Sequence, residues 1–487
     1  MKKLFIMKFS VLFFILLSQN IFSLSYNGRI DTSYKLKYGD NAFDHDIFQY
    51  YGINSNFNGE LSFVASGVLR KDIDGKNKFI STKGADISDA AFWDISDARN
   101  KEQNVEFLLS TAYLKYSANT FEAQLGRMYL YDYSFLQVDG LKAAVQPFHW
   151  IYIEAFGGKP WHFENDYAFD SKEVAAGIGS ETIFFDHSFL FNFNYLYLKE
   201  LTYEGIYPVD TESNYEEPQK IYFTDHYLKA KAGYNFSKNY YSEISSSYLT
   251  NDVKDANIFI RSFFPYLVLE SIFSYYVQLL DVENFGNRLN SFSTVLSASS
   301  PYHRISLDIN KDVLHMHLLS GYLNEIFIFM RYEYRLPFKK EDISIFNPEY
   351  HLVRLGTTFA SEKNYILELF GEGYLSKDNI NDNFAFGGEF ARQTRNLKIA
   401  MGTGFFIYKY ETYYGTSIYK DSINAREYYL ELKYKPLNYL DFRLKGSIET
   451  SEQEMLSEAL VDKETKNINA SGLQAYYKLF FNAGVSF

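Results

Sequence analysis

The chain has 487 residues and not one cysteine, which excludes a disulfide framework, thiolate chemistry and cysteine-linked lipidation. No Pro/Gly/Ser-rich linker or shift in composition divides it, so its length reads as one domain rather than several. Long apolar runs are missing too. The only one, residues 9–17, falls short of the roughly 20 residues a membrane-spanning helix requires, and nothing later could span as a helix. Positive charge is scarce: removing Lys2, Lys3 and Lys8 from the 48 Lys and Arg leaves 45 against 60 Asp and Glu, a net charge of −15. That balance excludes nucleic acid as a natural partner. No phosphate-binding loop, cysteine cluster or paired-carboxylate motif is present, and no cofactor is implied.

What is abundant is aromatic. Tyr (44) and Phe (46) dominate an aromatic content of 19%, yet the mean hydropathy of −0.26 is that of a chain half in water. Strands whose alternate residues face lipid and water produce that combination. The basic start, the apolar run at 9–17 and the small residues Ser23 and Ser25 read as a secretory signal peptide over residues 1–25, cleaved after Ser25. Residues 26–487 are then the mature domain.

Pairs of alternating runs recur along this domain, each joined by a short polar turn and followed by a longer connection. The short turns are expected near 56–59, 118–120, 146–149, 185–187, 236–239, 264–265, 300–302, 321–324, 361–364, 393–396 and 436–438. The long connections, 73–103, 159–172, 201–221, 337–349 and 451–469, fall in the alternate slots. The spacing predicts about 24 strands, with 22 to 26 allowed.

Within the runs, Phe189, Phe191, Phe193, Tyr195 and Tyr197 form one face, with Asn192 and Asn194 on the other. Leu228, Ala230, Ala232 and Tyr234 alternate with Lys229, Lys231, Gly233 and Asn235. Tyr428, Leu430, Leu432 and Tyr434 alternate with Glu431 and Lys433, and Leu440, Phe442 and Leu444 with Asp441, Arg443 and Lys445. A turn centred near Leu437 would set Lys433 beside Asp441 and Glu431 beside Arg443. The palindrome Leu125-Gly126-Arg127 and Asp139-Gly140-Leu141 pairs Leu with Leu, Gly with Gly and Arg127 with Asp139. Parity puts that ion pair on the apolar side, where charge is tolerated only near the interface, so it reads as a rim clamp.

At the end of the chain Leu479, Phe481, Ala483, Val485 and Phe487 share one face, with Lys478, Asn482, Gly484 and Ser486 on the other. A terminal strand with one apolar face and a final Phe resembles the bacterial outer-membrane β-barrel proteins, and the Gly-Arg/Asp-Gly hairpin looks like porin-like members of that group. The resemblance implies an all-β, closed antiparallel transmembrane barrel with short periplasmic turns and longer surface loops. It further implies location in the bacterial outer membrane among its lipids, and Phe487 as the signal read by the barrel assembly machinery.

Three function classes follow. The first is a porin-like channel for small polar solutes, its lumen lined by Lys229, Lys231, Arg261, Arg304, Asp308, Arg331, Glu431, Lys433, Asp441 and Arg443. A ring of this size, roughly 45–50 Å across, needs narrowing. Loop 73–103 is the candidate, with Asp86, Asp89, Asp94 and Asp97 setting an acidic wall against lumenal bases. The second class is a structural or export barrel filled by a plug or lipoprotein partner. The third, an outer-membrane hydrolase or metal site, rests on a tight turn at Lys311 and Asp312 that would bring Asp308 to His315 and Ser306 to His317. Polar lumen lining is the expected role for His315 and His317, so the reading assigns no catalytic or metal-ligating residue.

Overall fold

The structure is a computed structural model that describes residues 25–39, 42–57, 59–73, 106–133, 136–161, 172–185, 188–204, 219–250, 252–280, 301–314, 323, 325–339, 348–361, 363–377, 382–414, 417–455 and 473–487. Runs rich in aromatic and β-branched residues, alternating with polar ones, form strands throughout. The described residues give 22 of them: β1 Ser25–Gly39, β2 Ala42–Asn56, β3 Leu61–Asp72, β4 Glu106–Ser117, β5 Phe121–Leu130, β6 Leu136–Phe148, β7 Ile151–Pro160, β8 Val174–Phe184, β9 Phe189–Glu204, β10 Gln219–Ser237 and β11 Tyr240–Leu249. The second half continues with β12 Asp252–Phe264, β13 Leu269–Gln278, β14 Tyr302–Leu314, β15 Glu325–Pro337, β16 Tyr350–Ala360, β17 Tyr365–Ser376, β18 Asn383–Gln393, β19 Leu397–Tyr414, β20 Ser417–Leu437, β21 Leu440–Met455 and β22 Leu473–Ser486.

Each strand pairs antiparallel with the next, and β22 returns to β1, so the sheet closes without an open edge. No helix among the described residues is long and apolar enough to cross a membrane. The fold is a closed, antiparallel, transmembrane-type β-barrel. Long connections follow odd-numbered strands, as the sequence predicts, although several connections at that end are short.

Twenty-two strands lie at the lower limit of the expected range, and the surplus hairpin can be located. The turn expected at 300–302 is the start of β14, whose Tyr302 pairs with Gln278 and with Pro337. The turn expected at Lys311 and Asp312 is strand as well, with Lys311 opposite Ile328 and Asp312 opposite Phe327. Two consecutive polar residues resembled a turn, but nothing at either position requires the chain to reverse. Asp308 therefore faces Arg331 rather than His315, and the hairpin that joined Ser306 to His317 does not form. His315 and His317 themselves lie outside the described residues, as do Asp86, Asp89, Asp94, Asp97 and the signal segment before Ser25.

The seam between first and last strands is built around two glycines. Phe487 exchanges both backbone hydrogen bonds with Gly28, at 2.8 and 2.9 Å, and its ring covers the bare Gly28, where a Cβ would lie 2.6 Å from the ring. On the inner side Asp31, Gly484 and Asp441 stand in one row. The Arg29 guanidinium lies over Gly484 and joins Asp31 at 2.7 Å to Asp441 at 3.0 Å. A side chain at 484 would displace that guanidinium.

Candidate functional site: the lumenal wall

Two faces run unbroken round the ring. Along β10, Lys229 stands opposite Asn194 and Ser247, and Lys231 opposite Asn192 and Ser245, while Leu228, Ala230 and Ala232 occupy the other face. Leu125, Ile244, Leu355 and Leu430, all exposed, mark the apolar exterior. The polar set is the lumenal wall, and most of its charges are matched. Lys231 Nζ is 3.0 Å from Glu243 and Arg261 Nε 2.6 Å from Glu270.

Near the C-terminus the partners differ from the expected ones. Lys433 lies opposite Arg443 and Glu431 opposite Lys445, because the register slips between Tyr434 and Leu437. Pro436 sits in that slip, where a residue without a backbone N–H cannot hold the ladder. Glu431 still meets Arg443 on the diagonal at 2.5 Å and takes Lys433 at 3.1 Å. Asp441 pairs with Arg29 across the seam instead of with Lys433.

The wall of β14, β15 and β16 concentrates arginine. Register sets Arg304 directly opposite Arg335, and Arg331 directly opposite Arg354. Like charges so placed repel. Arg331 is relieved by Asp308 at 3.7 Å and Glu333 at 3.0 Å, and Arg354 by Glu372 at 3.7 Å. Arg304 makes no ion pair among the described residues and lies 5.1 Å from the Tyr276 ring centroid, while Arg335 lies 3.9 Å from that of Tyr302.

The wall of β5 to β9 is the reverse. Gly126, Gly140 and Gly158 face one another in a row, and their backbones approach too closely for side chains: a Cβ on Gly158 would lie 2.6 Å from Asp139 O and 2.7 Å from Gly140 Cα. Gly126 also holds φ +129°, which favours glycine. Below this bend, Gly177 and Gly179 leave a bare strip on β8. The Phe156 ring covers Gly177, and Tyr133, from the 3-10 turn Tyr131–Tyr133 between β5 and β6, covers Gly179, where a Cβ would meet the phenol oxygen at 2.6 Å.

Tyr133 is fully buried, edge-on to Phe156 at 4.7 Å, in an apolar cluster with Met128, Leu130, Val138, Leu196 and Leu198. The turn is thus folded against the inner wall. Beneath it Lys142 holds Glu154 at 2.6 Å. Sequence reasoning missed this insertion. The available signals were the small residues at every second position from Ala175 to Gly179 and an aromatic in a very short loop.

Arg127 and Asp139 pair directly, in the predicted register, with two hydrogen bonds of 2.7 and 2.8 Å. Arg127 also donates to Leu109 O at 3.1 Å and stacks 4.7 Å over Trp161. The pair shares the parity of the apolar Leu125 and Leu141, close to where β5 ends and β6 begins.

A closed 22-stranded ring with an apolar exterior and a charged interior defines the class of transmembrane β-barrels. No family model matches the chain, and no curated protein matches it. Among solved structures it is similar to OccAB3 of Acinetobacter baumannii, at 9% identity over 96% of this chain and 99% of that one, TM-score 0.41. It is also similar to OccK1 (OpdK) of Pseudomonas aeruginosa, at 10% identity over 96% and 99%, TM-score 0.40, and to OpdL of the same organism, at 10% over 96% and 99%, TM-score 0.39. Likeness at this level assigns neither family nor substrate.

Proposed function

We propose that the chain is an outer-membrane channel for small polar solutes, delivered by a cleaved signal peptide and assembled through its Phe487-terminated strand. The observation that carries this reading is the closed ring with charge on its inner face from β10 round to β1, through Lys229, Arg261, Arg304, Arg331, Arg354, Arg443 and Arg29. A structural barrel needs no such lining, whereas a water-filled pore does.

Two elements narrow the lumen in this reading. One is the Tyr131–Tyr133 turn. The other is loop 73–103, whose Asp86, Asp89, Asp94 and Asp97 supply the acidic side of a transverse field facing the arginines of β14 to β16. The wall strands opposite add little negative charge, since Glu122 and Glu154 are matched by Lys115 and Lys142, each at 2.6 Å.

Planar-bilayer recording of the purified protein tests the channel. Stepwise openings are expected, and removal of residues 78–98 should raise their size sharply. Silence of the isolated barrel, relieved by a plug or lipoprotein partner, would overturn it in favour of a partner-filled barrel.

A further inference from the structure

Four histidines among the described residues share one arrangement on the exterior. His45 of β2, His226 of β10, His303 of β14 and His351 of β16 are in phase with Ile47, Leu228, Ile305 and Val353, and so face outward. Each Nδ1 meets a tyrosine hydroxyl of the preceding strand: Tyr34 at 3.5 Å, Tyr195 at 2.8 Å, Tyr275 at 2.7 Å and Tyr332 at 2.9 Å.

The geometry repeats. The residues directly opposite the four histidines are Leu36, Tyr197, Val277 and Tyr334, and in every case the hydroxyl comes from two positions earlier. The height repeats as well. His45, His226 and His303 each stand eleven residues from the short-turn ends of their strands, at Asn56, Ser237 and Leu314, and His351 stands nine from Ala360. At about 3.4 Å per residue and a tilt near 40°, that is roughly 23–29 Å, the far edge of an apolar band about 25 Å tall. The rings therefore lie at one membrane interface.

A phenol that donates to Nδ1 leaves the proton of a neutral imidazole on Nε2. No protein group among the described residues receives Nε2 of His226, His303 or His351. Ring contacts hold two of these imidazoles, with Phe338 tilted against His303 at 4.1 Å and Tyr334 stacked on His351 at 4.5 Å between centroids. We propose that the Tyr–His pairs of His226, His303 and His351 form an interfacial girdle in which each Nε2–H donates to a phosphate oxygen of a lipid headgroup. An aromatic girdle alone places amphipathic rings at the interface. This one adds a donor at a fixed height, its Nδ1 side held by a tyrosine hydroxyl.

The test is solid-state NMR of the full chain, labelled with 15N-histidine, in phosphatidylglycerol bilayers. The expected result is the Nε2–H tautomer at these sites with dephasing of Nε2 by lipid 31P. Tyr195→Phe should disturb the tautomer and the 31P contact of His226 alone. In a second measurement, a variant with His226, His303 and His351 changed to Phe, still heat-modifiable on gels, should lose the several-fold preference of the wild type for retaining phosphatidylglycerol over a phosphate-free glycolipid. Nδ1–H tautomers, absent dephasing in a folded barrel, or unchanged lipid retention by the Phe variant would each overturn the proposal.

Discussion

Between Gly126 and Leu198 the inner wall is almost bare. Its glycines let strands approach and let Phe156 and Tyr133 pack over bare backbone, and the surface so made is apolar and buried. Between Arg304 and Glu372 the same kind of strand carries long charged side chains that stand into the lumen, held by rings and by one or two carboxylates rather than by close packing. The difference teaches that the lumen of this barrel has two sorts of inner surface. One wall is specified by what its positions lack, so any added atom is felt. The other is specified by charge, so its shape tolerates substitution while its potential does not.

Substitutions can break this contrast. Gly140→Val on the packed wall should have the largest effect, since a side chain there collides with the Gly157 carbonyl; loss of the heat-modifiable band on gels measures it, and normal assembly would show that the bend is not needed. Tyr133→Ala should leave assembly intact but cost about 3 kcal/mol in unfolding by denaturant. It should also enlarge single-channel conductance, and unchanged conductance would mean that the turn does not narrow the path.

On the charged wall, Arg304→Glu with Arg354→Glu should barely alter stability. The reversal potential in a salt gradient should instead move towards cation preference, and a fixed potential would remove these residues from the pore. The smallest change is expected at the rim. Arg127→Ala loses a partly solvated pair of about 1 kcal/mol or less, read as a slight drop in denaturant midpoint.

Much of this was legible in the alternation itself. Lipid outside and water inside impose a period of two on every strand, so the faces of β9, β10 and β20 to β22 follow from the residue order, and the Leu-Gly-Arg palindrome pins the register of β5 with β6. Turns were less legible. Lys311 and Asp312 have turn-like polarity without turn geometry, and Pro436 hides a register slip that moves Lys433 away from Asp441. Contacts across many residues were not legible at all. Tyr133 on Gly179, or a tyrosine two positions off a histidine on the next strand, leaves no periodic trace because only the closed sheet brings them together.

The Arg29, Gly484 and Phe487 clasp bears on how the ring comes to exist. Hairpin neighbours meet by closing loops of a few residues, whereas Arg29 and Ser486 are 457 residues apart. Closing so long a chain costs about 3 kcal/mol more than closing a ten-residue turn. The two termini therefore face the steepest entropic step in the molecule, and they meet it with backbone bonds and a ring at Phe487 on one face and the Arg29 bridge on the other. A circular permutant that joins 487 to 25 and opens the turn at 438–439 should reach the same barrel, but its slow step should move to the β20–β21 pairing, where Glu431 and Arg443 would have to make the closing contact.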